Sequence, residues 1–211
     1  MKTMIAVPCL DQVQTDFFRS CVGLQTQGVI QWTTCQGSLI YESRQKLAEL
    51  AVAGDFDRIL WLDSDMVFPP SLFNRLSEHI DQGKDMVSGV YFGRKAPVRP
   101  IIYSRCESEL RDGNLWPAAD HYMNYPTDSV FPVAACGFGA VMMTVDLLRR
   151  IRERFPLPFF PAEGFGEDLA FCLRAREIGA TIWCDSSIKL GHTGIAIFNE
   201  EVYQRILTDE G

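Results

Sequence analysis

The sequence predicts an α/β fold in which helices flank a mostly parallel central sheet, built as one domain over residues 1–211. The run Ile59-Leu60-Trp61-Leu62 is continuously apolar, too short for a helix and rich in strand-favouring types, as expected of a strand buried on both faces. Runs of this kind alternate with helical periodicity, clearest at Leu72, Leu76 and Ile80, spaced i, i+4, i+8. With 211 residues the chain can enclose one sizeable core and is short for two.

In order, Met4 to Val7 reads as a short strand broken by Pro8, followed by the loop Cys9 to Gln14. Val29 to Thr33 is a second strand, Gly37 to Tyr41 a connection, and Ser43 caps a helix to about Ala53, with Gly54 as its stop. This puts Arg44 in a first helical turn, where the helix dipole disfavours a cation. A guanidinium there suits a phosphate or one of the aspartates, or is simply solvated. After Ile59 to Leu62, the pair Pro69-Pro70 ends extended structure and Ser71 opens a helix to Gln82. Asp85 to Phe92 is the next strand. Arg94 and Lys95 beyond it could neutralise a diphosphate, although two basic residues in a loop are more often only solvated.

Residues 96–130 read as a long connection with short strands such as Pro100 to Tyr103. Its aromatics, Trp116, Tyr122 and Tyr125, suit a sugar ring or a small satellite core. Phe131 to Thr144 resumes strand character, and Gly137 and Gly139 would permit a sharp bend or a substrate close to the backbone. Thr144 caps a helix through Ile151. Glu167 and Asp168 open another, and acidic residues in a first turn already complement the helix dipole. Ala180 to Cys184 and Ser187 to Leu190 are short strands, and Asn199 to Leu207 is a closing helix.

Composition narrows the classes. The chain is 47% hydrophobic and 22% charged, ordinary for a soluble globular protein, and its net charge of −7 without a basic run argues against nucleic acid as a partner. The N-terminal apolar segment is too short for a signal peptide, and Phe131 to Val145 falls below a membrane span of about 20 residues, so no transmembrane segment is expected. Seven cysteines form an odd set with no Cys-x-x-Cys, which reads as reduced thiols in a cytoplasmic protein.

The chemistry concentrates at Asp63-Ser64-Asp65, where the buried strand emerges. In open α/β sheets ligands sit outside the carboxyl ends of the strands. In extended chain Asp63 and Asp65 share one side and Ser64 turns away. Two such carboxylates suit Mn²⁺ or Mg²⁺, hard cations that keep their remaining positions for water and phosphate oxygens. A metal-bound di- or triphosphate is the implied ligand. Asp is also a common turn residue, so the pair alone is a weak pattern.

LWLDSDMVFPPSLFNRL, with DMVSGVYFGRK, GFGEDLAFCLRAREIG and GHTG after it, resembles the GT-A glycosyltransferases, in particular small family-2-like enzymes of bacteria and phages. The likeness runs from Ile5 to His192. It implies the GT-A fold and a metal-dependent glycosyltransferase, a hexosyltransferase, using a UDP- or GDP-sugar donor and a hydroxyl acceptor. That acceptor is expected to be carbohydrate, with modified DNA kept open. It further implies a metal held by Asp63, Asp65 and His192, with Glu167 and Asp168 as catalytic carboxylates and Asp168 receiving or orienting the acceptor hydroxyl. The nucleotide set expected on this reading is Pro8, Asp11, Arg44, Asp63 and Ser64. Gly137, Phe138, Gly139 and Phe160 are expected to bind substrate, with Phe159 also walling the acceptor site.

Three rivals differ in kind. A nucleotidyltransferase would carry a glycine-rich basic loop after its first strand, whereas Pro8-Cys9-Leu10-Asp11-Gln12 has neither glycine nor a basic residue. A non-catalytic carbohydrate-binding or scaffold protein of the same fold should have lost some of these carboxylates. A two-carboxylate hydrolase would need neither metal nor nucleotide.

Overall fold

A computed structural model describes residues 1–37, 39–194 and 197–209. The elements run β1 (Lys2–Cys9), α1 (Thr15–Gly23), β2 (Val29–Gln36), α2 (Ile40–Ala53), β3 (Arg58–Leu62), β4 (Met66–Val67), α3 (Leu72–Asp81) and β5 (Met86–Val90). Then come β6 (Ile102–Arg111), β7 (Asn114–His121), β8 (Val130–Val133), β9 (Ala135–Cys136), β10 (Ala140–Thr144) and α4 (Val145–Arg154). The chain continues through α5 (Glu167–Glu177), β11 (Ile182–Lys189), β12 (Gly191–Thr193), β13 (Ile197–Phe198) and α6 (Glu200–Asp209).

Among the described residues the central sheet has seven strands in the order β2-β1-β3-β10-β5-β11-β8. It is mixed and mostly parallel: β2, β1, β3, β5 and β11 run one way, β10 and β8 the other. The period of two along each strand divides the apolar residues between two cores. Met4, Ala6, Ile59, Trp61, Val141 and Met143 face the helices α2, α4 and α5, with Leu47, Leu148 and Phe171. Ile5, Val7, Leu60, Leu62, Ala140 and Met142 face α1 and α3, with Phe17, Leu72 and Leu76. Cover on both faces is why the β3 run carries no polar alternation, and residues 58–62 are all buried.

Several boundaries depart from expectation. β1 runs through Pro8, which pairs with Cys35 near the strand end. α2 starts at Ile40 after Leu39, so Ser43 is not its cap and Arg44 lies in its second turn. Thr144 does cap α4, its hydroxyl accepting from the Leu147 N–H at 3.1 Å. Residues 131–144 divide into β8, β9 and β10. The two short strands expected at 180–190 are one, β11, with an irregularity between Asp185 and Lys189.

The largest departure is the expected long connection, which is a β-hairpin: β6 and β7 pair from Tyr103↔His121 to Arg111↔Asn114. Its turn residues Asp112 and Gly113 both have positive φ, 51° and 77°, the conformation that Asp-Gly adopts most readily between paired strands. Tyr122 and Tyr125 pack against Phe131 in the core, while Trp116 is exposed.

Two small sheets flank the main one and fix its loops. β4 pairs with β12, which pairs with β13, and in that ladder Met66 stands opposite His192. β6 pairs with β9 as well as β7, which sets the hairpin against α5.

Candidate functional site

β1, β2 and β3 are parallel, and their carboxyl ends open on one cavity of about 370 Å³. Pro8, Cys9, Leu10, Gly37 and Ile40 form one side of it. Asp63, Ser64, Asp65, Arg94 and His192 form the rest.

Asp63 to Asp65 is a tight turn, closed by the Met66 N–H donating to the Asp63 carbonyl at 3.1 Å. The two carboxylates therefore take different partners instead of sharing one side of an extended chain. Asp63 lines the cavity with its side chain 28% exposed, its Oδ1 accepting from Arg44 Nη2 at 2.8 Å. Asp65 faces the cavity, with Oδ2 2.7 Å from Arg94 Nη1 and 3.4 Å from His192 Nε2.

His192 reaches this position through the β4–β12 ladder, reinforced by the Thr193 N–H donating to the Asp65 carbonyl at 2.8 Å. Its Nδ1 lies 2.9 Å from the Phe92 carbonyl oxygen, which can only accept, so Nδ1 carries the proton and the lone pair of a neutral Nε2 is left for a cation. Tyr91 packs edge-on against the ring, and its hydroxyl accepts from the Gly139 N–H at 3.3 Å.

The electrostatics reflect these neighbours. Burial pushes Asp63 above the ordinary carboxylate range, Arg44 opposes this, and the charges of Asp65 and Glu167 add to it. Burial would also raise Asp65, but hydrogen bonding and charge from His192, joined by Arg94, hold it below its ordinary value.

Arg44 is buried, with only 3% of its side chain exposed, beneath both acidic groups. Besides Asp63, its Nε donates to Glu167 Oε1 at 3.4 Å. Its guanidinium lies 5.8 Å and 5.3 Å from the ring centres of Trp61 and Phe138. Burial lowers its pKa, yet the charges of Asp63, Glu167 and Asp168 outweigh that and raise it. Arg44 is thus neither solvated nor in the cavity lining; of the partners the sequence offered it, a phosphate or one of the aspartates, it holds the aspartate Asp63.

Glu167 and Asp168 occupy the first turn of α5. Asp168 is pushed up to about 6, first by burial and then by the charge of Glu167. A carboxyl group poised there can exchange a proton near neutral pH. Gly164, at φ +81°, lies against the Pro117 ring of the hairpin, which seats the loop leading into α5.

The remaining expected residues divide. Pro8 and Ser64 line the cavity, and the Ser64 carbonyl also accepts from the Gln14 N–H at 3.1 Å. Asp11 is exposed and outside the lining. Gly137 and Gly139 do not make room for a substrate. An added Cβ would come within 2.1 Å of the Tyr91 hydroxyl at Gly137 and within 2.9 Å of the Tyr91 ring at Gly139. Phe138 and Phe159 are fully buried, packed with Trp61 and Phe171, and so are core residues. Phe160 is part-exposed against Tyr41. Cavity residues not foreseen as binding groups are Cys9, Leu10, Gly37 and Ile40, whereas Arg94, read from the sequence as able to neutralise a diphosphate, does line the cavity. For Arg94 the signal is its position just beyond a strand end.

Among the described residues no group of three or more His, Cys, Asp or Glu side chains converges to hold a metal. Asp63 lines the same cavity, with its Oδ1 engaged by Arg44. Asp65 and the free Nε2 of His192 remain, an oxygen and an imidazole donor, which fits a divalent ion that takes its other ligands from water and a phosphate.

Fold and site together define a mixed α/β protein with an acidic, histidine-bearing cavity at the carboxyl ends of its central strands. No protein-family profile matches the chain, and no curated protein matches it. Among solved structures the fold is shared with the crystal structure of A197 from STIV, at a TM-score of 0.65 and 18% identity, over 92% of this chain and 86% of that one.

Proposed function

We propose that this chain is a GT-A-type glycosyltransferase that moves a sugar from a nucleotide-sugar donor, a UDP- or GDP-sugar, to a hydroxyl acceptor with the help of Mn²⁺ or Mg²⁺. The observation that carries the reading is the meeting of Asp65 with the free nitrogen of His192 at the rim of the cavity above β1 to β3. A second set of carboxylates, Glu167 and Asp168, is tied to the first through Arg44. Free thiols at all seven cysteines suit a reducing, cytoplasmic setting, and among the described residues no helix is long and apolar enough to cross a membrane.

On this reading Asp65 and His192 hold the cation, which when bound neutralises charge developing on the departing diphosphate. Pro8, Cys9, Leu10 and Ile40 give the nucleotide an apolar wall. Asp168 accepts a proton from the acceptor hydroxyl, and its raised pKa keeps it a competent acid or base near neutrality. Arg44 holds Asp63 and Glu167 in place and keeps the two sets of carboxylates from repelling one another. Carbohydrate is the acceptor class that suits a hydroxyl-directed carboxylate, with modified DNA as a further candidate.

The test is a thermal-shift screen with UDP, GDP, CDP and dTDP, each with Mn²⁺, with Mg²⁺ and with chelator, and then hydrolysis of the matching nucleotide sugars. One diphosphate should stabilise the protein in a metal-dependent way. If no nucleotide shifts the transition under any condition, the proposal fails.

A further inference from the structure

Arg94, one of the two basic residues the sequence offers to a diphosphate, is paired instead with Asp65. Its Nη1 lies 2.7 Å from Asp65 Oδ2 and donates to the Thr193 carbonyl at 3.1 Å. That same Oδ2 faces His192 Nε2 at 3.4 Å. One carboxylate oxygen is thus shared by a ring and a guanidinium that are held very differently. His192 is fixed by Phe92 and Tyr91 and is 14% exposed, whereas the Arg94 side chain is 45% exposed, on a loop past β5.

A guanidinium offers five N–H donors and no acceptor, so it pairs equally well with a carboxylate or with two phosphate oxygens. A divalent cation on Asp65 Oδ2 would meet it as a like charge at contact distance, and both cannot stay. The exposed, flexible partner is the one that can leave, and it lines the same cavity as Pro8 and Ser64.

We infer that Arg94 is a resident counter-ion of Asp65 that gives up its place to a divalent cation and turns to the diphosphate of the bound nucleotide. This rests on the function proposed above. Arg94 would then link the two events: the cation frees it, and the diphosphate gives it a new partner.

Three forms separate this from an ordinary surface ion pair: Arg94→Gln, Arg94→Lys, and Arg99→Gln as a control for the loss of one positive charge in the same segment. Mn²⁺ binding to the nucleotide-free protein, read by electron paramagnetic resonance, should tighten by roughly threefold to tenfold in Arg94→Gln. UDP or GDP affinity in saturating Mn²⁺, read by calorimetry, should fall about tenfold in Arg94→Gln and recover in large part in Arg94→Lys. Unchanged Mn²⁺ affinity in Arg94→Gln, or an equal change in Arg99→Gln, overturns the inference. Tighter Mn²⁺ binding with no loss of nucleotide affinity overturns the transfer to the diphosphate. If no form binds a nucleotide, the proposed function fails instead, and the Mn²⁺ measurement still decides whether Arg94 guards Asp65.

Discussion

Asp168→Asn should make the protein more stable at neutral pH, although it removes a carboxylate from the candidate site. Asn keeps the shape and can keep the acceptor for the Leu169 N–H, now 2.8 Å from Oδ1. Burial and Glu167 raise Asp168 from an ordinary 3.8 to about 6. A group raised in the folded state favours folding when protonated. That contribution is complete below pH 3.8 and is lost as pH climbs through 6. The gap of about 2 pH units corresponds to about 3 kcal/mol, and solvent screening at a part-exposed residue reduces it to about 1–2 kcal/mol. The variant should therefore match the parent near pH 4 and exceed it by that amount above pH 7. Urea denaturation monitored by tryptophan fluorescence, in buffers from pH 4 to 8, measures this directly. A difference that stays flat across the range, or is largest in acid, would refute the assignment of an elevated pKa to Asp168.

The same contacts set four further outcomes. Asp65→Ala and His192→Ala should each weaken Mn²⁺-dependent nucleotide binding by about 10–100-fold in calorimetry, since each removes one of two protein donors. Arg44→Met leaves the part-exposed Asp63 and Glu167 without their cation, and should cost about 1–3 kcal/mol in denaturation after solvent screening, with part recovered in the Arg44→Met, Asp63→Asn double variant. Gly137→Ala should cost about 1–3 kcal/mol through overpacking on the Tyr91 hydroxyl, and Tyr91→Phe in the same chain should relieve much of it. Gly113→Ala, at φ +77°, should cost about 1 kcal/mol in the same assay and loosen the hairpin, seen as faster amide exchange over residues 108–117.

What can be read from the chain alone is local. The apolar run before Asp63 announces a buried strand, and carboxylates at its exit mark the site, because hydrophobic continuity and strand polarity are written in consecutive residues. The pairing of distant segments is not. Nothing in Ala140–Thr144 says that it runs antiparallel between β3 and β5, and nothing near Arg44 says that it will lie beneath Glu167. Phe138 shows the same limit from the other side. Its flanking glycines suggest a substrate contact, but they are there because Tyr91 leaves no room for a Cβ. The hairpin is hidden for a different reason: Asp112-Gly113 is a strong turn signal, but the polar residues around it mask the alternation of the strands.

The pairing of β4 with β12 carries a consequence for how the cavity is completed. Asp65 stands at the end of an early strand and His192 close to the last helix, and only a few backbone hydrogen bonds at the margin of the main sheet bring them together. β11, which lies between β5 and β8 in the main sheet, ends one residue before β12, so His192 reaches the cavity only where that internal strand is seated.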